Sequence, residues 1–164
     1  LYQRGVTVTV ADTRQRGDDP TCGHKTVSYF ARLASLRRAH TLQAFETIWL
    51  TPENRLAEGA ISNLFVVRDG RVLTPPLDTP VLPGITRAAV LELASRLRIP
   101  AEERPLTIND LLDADEVFLT NSLMEIMPVV RVERRAIGTE KVGDVVRALY
   151  EAYGDLVQEE CAYA

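Results

Sequence analysis

Residues 62 to 74 read SNLFVVRDGRVLT, two apolar runs joined across Asp69-Gly70. An Asp-Gly pair between apolar runs is the signal of a two-residue hairpin, because both turn positions need a positive φ that these residues accept. A tight antiparallel hairpin in mid-chain rules out an all-parallel, doubly wound sheet. Immediately afterwards comes PPLDTPVLPG, residues 75 to 84, with four prolines. Proline lacks the N–H that a central strand or a helix interior needs, so this stretch is an ordered loop that ends at Gly84.

The neighbouring segments fit the same plan. GVTVTVA, residues 5 to 11, alternates as a strand with one buried face, and AFETIWLT and RLAEGAIS continue as short strands around a TPENR turn. The polar stretch from Asp12 to Gly23 is a loop leading to Lys25. From Thr26 onward, Val27, Phe30, Ala31 and Ala34 fall at helical spacing, which predicts a largely buried helix with a narrow polar stripe of Ser28, Arg32 and Ser35. A second amphipathic helix, with Val90, Leu93, Ala94 and Leu97 on one face, follows Gly84 directly. Thr107 with Asp110 has the form of a helix N-cap, DEVFLTNS and MPVVRVE read as strands, and Asp144 is placed to cap a last helix presenting Val146, Leu149, Tyr150 and Tyr153. Strands and helices are mixed without strict alternation, so the fold class is α+β.

The chain has 164 residues, enough for one domain with a hydrophobic core. A net charge of −4 without a basic run argues against nucleic acid or an acidic membrane as the partner. No apolar stretch approaches the ~18 residues of a membrane span. Cys22 and Cys161 lie far apart, and Cys22 with His24 lacks the second ligand pair of a zinc site, so neither a disulfide framework nor a metal centre is expected. A reducing, cytoplasmic setting fits this usage. The chain starts at Leu1, which leads us to expect a processed protein or a piece of a longer one.

Taken alone, each polar candidate has an ordinary reading. Lys25 at a loop-to-helix junction reads as a solvated lysine; as a nucleophile it would need burial or a positive neighbour to shed its proton. Gly84, Ile85 and Thr86 open a helix whose free N–H groups suit a phosphate, yet Thr86 could equally be a plain cap. Glu58 reads as a surface residue, and Asn121 and Ser122 at a strand end as turn-satisfying side chains.

Taken together, HKTVSYFARL, LAEGAISNLFVV, LPGITRAAVLELA and DEVFLTNSLMEIMPVV, in this order and spacing, resemble the class IV, fold-type IV pyridoxal-phosphate enzymes. That family includes branched-chain and D-amino-acid aminotransferases and aminodeoxychorismate lyases. Glu58 follows Lys25 by 33 positions and Thr86 follows Glu58 by 28. The resemblance implies a mixed sheet or pseudo-barrel with flanking helices, pyridoxal 5'-phosphate as cofactor, a small-molecule amino substrate and a homodimer. It aligns Lys25 with the Schiff-base lysine, Glu58 with the acid facing the pyridine nitrogen, and Gly84, Ile85 and Thr86 with the phosphate cup. Ser122 aligns with a further phosphate hydroxyl, and Tyr29 with a tyrosine found near the cofactor ring in many members.

The segment TNSLMEIMPV looks more like the lyases of the family, so the expected reaction is cleavage of aminodeoxychorismate to 4-aminobenzoate and pyruvate, on the folate route. Branched-chain or D-amino-acid transamination is the alternative. Ser28, where many of those lyases carry asparagine, and the unassigned loop RQRGDDPTCG both depart from the lyase pattern. Family members carry a smaller N-terminal domain that is not among residues 1 to 164. The resemblance therefore makes this chain the larger, C-terminal cofactor-binding domain of a longer enzyme. A catalytically silent fragment is the remaining alternative.

Overall fold

The computed structural model describes residues 1–162. Nine strands form one mixed sheet: β1 (Val6–Arg14), β2 (Glu46–Leu50), β3 (Leu56–Gly59), β4 (Asn63–Arg68), β5 (Arg71–Thr74), β6 (Ala101–Glu103), β7 (Glu116–Asn121), β8 (Glu125–Val132) and β9 (Arg135–Ala136). The order is β3-β2-β1-β8-β7-β4-β5-β6, with β9 against β8. Pairing is parallel for β1 with β2, β1 with β8 and β5 with β6, and antiparallel elsewhere. The two ends of this order meet where Leu56 N–H donates to Leu106 O at 2.8 Å, beside an Arg55–Thr107 bridge. This closure makes the curled half-barrel of the expected α+β fold.

The hairpin forms as read: Asp69 and Gly70 have φ of 50° and 71°, both in the left-handed region that the turn requires. Strand β4 explains why its sequence is a continuous apolar run. Leu64 and Val66 enter one core, with Ile48, Leu73, Leu119 and Met127, while Phe65 and Val67 enter a second core on the opposite face. In that second core Phe65 stacks on its cross-strand partner Phe118 with centroids 4.7 Å apart. Helices α2 (Ile85–Arg96) and α4 (Asp144–Cys161) cover this face through Val90, Leu93, Val146 and Leu149. The short α3 (Ile108–Leu112) starts on the capping box expected at Thr107 and Asp110.

Two expectations are corrected. Helix α1 runs only from Phe30 to Thr41, and Val27, Phe30, Ala31 and Ala34 are exposed; among α1 residues only Ala39 is buried. The start is displaced because the Thr26 hydroxyl takes the Ser28 N–H at 3.1 Å, a local turn that competes with helix. Asp144 is the first residue of α4, and Gly143 is its cap. The capping acceptor is instead Glu116 of β7, whose carboxylate takes the Val145 and Val146 N–H groups at 3.1 and 2.8 Å.

Candidate active site

A cleft of about 990 Å³ opens beside the ends of β1, β3 and β7, walled by the 15–29 loop and the proline-rich loop. Lys25, Tyr29, Glu58, Gly84, Ile85, Thr86 and Ser122 all line it. They are thus brought together from four separate segments. Their exposures differ: Glu58 and Thr86 are buried, Tyr29 and Gly84 half-buried, and Lys25, Ile85 and Ser122 exposed.

Glu58 is the best-anchored member. Its Oε1 accepts from Arg32 Nη2 at 2.6 Å and Gln15 Nε2 at 3.2 Å, and its Oε2 accepts from the Leu82 N–H at 2.9 Å and Asn63 Nδ2 at 3.4 Å. The same amides hold the proline-rich loop by its backbone: Gln15 Nε2 donates to Pro80 O, and Asn63 Nδ2 to Leu82 O at 2.8 Å. The surface-residue reading of Glu58 fails because β3 carries it inward, 4% exposed, where only a paired carboxylate is tolerated.

At the start of α2, Gly84 is the cap and no side chain caps the first turn, so the plain-cap reading of Thr86 is not realised. The first-turn N–H groups are left for a ligand or solvent, and the dipole end favours an anion. Glycine is required here by space rather than by torsion: its φ is −70°, but a Cβ would meet Asn63 Oδ1 at 2.1 Å. On the far wall Asn121 Oδ1 accepts from Leu123 and Met124 N–H, each at 2.8 Å, while its Nδ2 donates to Ile61 O at 3.0 Å. Asn121 does satisfy a turn, and it also ties β7 to the turn after β3.

Three residues that line the cleft, and one behind it, escaped the sequence. Gln15 lies in a polar loop yet is buried, and Arg32 belongs to a stripe that reads as solvated. Trp49 lies beneath Arg32, whose guanidinium carbon is 5.4 Å from its ring centroid. Glu46, on β2, is fully buried and takes Thr47, Ala60 and Ile61 N–H and the Ser62 hydroxyl, fixing the turn that lines the cleft. Burial pushes its carboxyl above the usual range, against the lowering effect of those four donors. Burial likewise raises the Cys22 thiol, which keeps it a weak nucleophile.

The chemistry of the cleft suits a polar, anionic small molecule. Gln15, Trp49 and Thr120 are among its lining residues, and each has a buried polar atom, Oε1, Nε1 and Oγ1 respectively, with no partner among the described residues. No group of three His, Cys, Asp or Glu among the described residues is placed to share a metal ion, and no described helix is long and apolar enough to cross a membrane.

Residues 2–132 match the family model Amino-transferase class IV. A probable branched-chain-amino-acid aminotransferase of Thermotoga maritima is 33% identical over 94% of this chain and 56% of its own length. The crystal structure of a T.th. branched-chain amino acid aminotransferase with pyridoxamine 5'-phosphate superposes with a TM-score of 0.91 at 30% identity, over 96% of this chain and 52% of that one. A putative 4-amino-4-deoxychorismate lyase from Legionella pneumophila gives a TM-score of 0.88 at 26% identity, over 94% and 57%. The chain spans about half the length of the relatives it matches.

Proposed function

The chain belongs to the class IV aminotransferases, and from that premise we propose that it is the cofactor-binding part of a pyridoxal-phosphate enzyme that moves an amino group between a small apolar amino acid and a keto acid. The observation that carries this reading is the convergence on one cleft of a lysine, a buried and ionically paired glutamate and an uncapped helix start. When bound, the cofactor supplies the electron sink that makes loss of an α-proton feasible.

In this proposal the chain's residues divide the work. The first turn of α2 and Ser122 would hold the phosphate, and Glu58 would pair with the ring nitrogen. Lys25 would hold the cofactor aldehyde through its amine and would take and return the substrate's α-proton. Lys25 is exposed among the described residues, so the burial that its nucleophile role calls for would have to come from the bound cofactor and from the rest of the enzyme. Residues 1–164 are then the larger domain of a longer, homodimeric enzyme.

Branched-chain substrates are favoured over the lyase substrate expected from TNSLMEIMPV. The relatives at 33% and 37% identity are named as branched-chain enzymes, whereas the lyase neighbour stands at 26%. That segment and that neighbour keep the lyase as the second reading.

Lys25 and Lys141 are the two lysines of the chain, which makes a covalent test clean. Incubation with pyridoxal phosphate, borohydride reduction and peptide mass spectrometry should place the label on Lys25 and lose it in Lys25→Ala. Label absent, or equal on Lys141, overturns the proposal. Product analysis on the full-length protein separates the two readings: a branched keto acid formed only with a keto-acid acceptor, against 4-aminobenzoate with pyruvate.

A further inference from the structure

The Glu58 carboxylate is already saturated. An ionised carboxylate offers about four lone-pair directions, and Arg32, Gln15, Leu82 N–H and Asn63 occupy them. Among these donors Arg32 alone carries charge, and at 2.6 Å it makes the shortest contact. Leu82 N–H, Gln15 and Asn63 belong to the packed walls that clamp the proline-rich loop. Arg32 comes from α1, whose side chains are mostly exposed, and its own side chain is 18% exposed against 5% for Glu58. It is the donor that can withdraw.

On the proposed aminotransferase reading, we infer that Arg32 is a resident counter-ion of Glu58 which the cofactor's ring N–H has to share or displace, so that Arg32 sets the affinity of the cleft for the cofactor. Two cations on one carboxylate repel each other, so Arg32 also disfavours a proton on the ring nitrogen. The guanidinium has resting places when it yields Glu58. Its Nη1 already donates to Gly59 O at 3.0 Å and Ala60 O at 3.3 Å, and it lies over the Trp49 face. These backbone bonds make Arg32 a positioning residue as well, so its removal has a structural effect that the test must separate from competition.

A double-mutant cycle on cofactor affinity makes that separation. Pyridoxal phosphate dissociation constants are read from the absorbance of the bound cofactor for the unaltered chain, Arg32→Gln, Glu58→Gln and the double variant. Loosening of the Gly59–Ala60 turn affects both backgrounds alike, whereas competition exists only where Glu58 is present. Arg32→Gln should therefore tighten binding about tenfold more with Glu58 in place than in the Glu58→Gln background, which corresponds to about 1.4 kcal/mol. A coupling factor of one, or a coupling of the opposite sign, overturns the inference.

The second arm needs no Glu58 variant. An analogue with carbon in place of the ring nitrogen cannot donate to Glu58, so its affinity should be insensitive to the competition. The preference for pyridoxal phosphate over this analogue should rise about tenfold in Arg32→Gln and stay at the starting value in Arg32→Lys, which keeps the charge. An unchanged preference in Arg32→Gln overturns the inference by itself. Borohydride labelling of Lys25 is run on every variant. If Lys25 is unlabelled even in the unaltered chain, the aminotransferase reading fails and the inference with it; if Lys25 is labelled but the coupling factor is one, only the inference fails.

Discussion

Removing the Glu46 carboxylate should cost stability in an amount set by which donors it strands. Oε1 accepts from Thr47 N–H at 2.7 Å and Ala60 N–H at 3.1 Å, and Oε2 from Ile61 N–H and the Ser62 hydroxyl, both at 3.1 Å. In Glu46→Gln the amide oxygen can keep the first pair. The new NH₂ then faces Ser62, whose hydroxyl can turn to accept, and Ile61, whose N–H is stranded. One stranded donor costs about 1–3 kcal/mol, partly offset by relief of a buried charge, so a loss of about 1–2 kcal/mol is expected. In Glu46→Ala, Thr47 and Ile61 are both stranded and packing is lost, while Ala60 N–H keeps its second acceptor, Thr47 O at 3.1 Å. The expected loss is about 3–5 kcal/mol, or roughly 10 °C in melting temperature for a domain of this size.

The pH dependence has a definite sign. The folded carboxyl is raised above its ordinary value of 4.5, so between that value and its folded one the folded state binds more protons than the unfolded. Glu46's contribution is therefore complete below pH 4.5 and declines as pH rises through the folded value. Because glutamine does not titrate, the stability gap between the unaltered chain and Glu46→Gln should be widest in acid and narrow toward neutral pH. Urea unfolding followed by far-UV circular dichroism across pH measures this. A Glu46→Ala within about 1 kcal/mol of the unaltered chain, or a gap that widens with pH, would refute the reasoning.

Gly84→Ala should drive Asn63 off Leu82 O, lowering stability by about 1–3 kcal/mol and weakening cofactor affinity; thermal melts and a pyridoxal-phosphate titration check both, and unchanged affinity counts against the cradle. Thr107→Ala should remove the α3 capping box at a cost of about 1 kcal/mol, a fall of roughly 2–4 °C in melting temperature, while Lys25 labelling persists because α3 does not line the cleft.

Local chemistry was legible wherever a residue acts through its immediate neighbours. The Asp69-Gly70 turn and the Thr107–Asp110 box are complete within a few positions, so their sequence signals suffice. Residues that act across the chain were legible only through resemblance, or not at all. Glu58 looks like any surface glutamate until β3 turns it inward. Glu46 sits in AFETIWLT as one polar letter in a strand, and its partners lie about fifteen positions downstream. Arg32 fits a solvated stripe because helical spacing shows which residues share a face, not what that face meets. Spacing misplaced the start of α1 for a related reason: it is blind to a side-chain bond such as Thr26 to Ser28, which ends helical geometry before it begins.

The proline-rich loop is hydrogen-bonded to the cleft walls through its main chain, at Pro80 O and the N–H and C=O of Leu82. Pro75, Thr79 and Val81 also bury their side chains, whereas Leu77 and Asp78 at the tip are exposed. The loop works as a panel on fixed brackets: its main-chain bonds and buried side chains fix where it hangs, while the exposed tip at Leu77 and Asp78 is free to vary. Libraries that diversify residues 77 and 78 should therefore be tolerated without disturbing the brackets on which the panel is mounted, which makes this tip a place to attach a label or a tag while the cleft stays as it is.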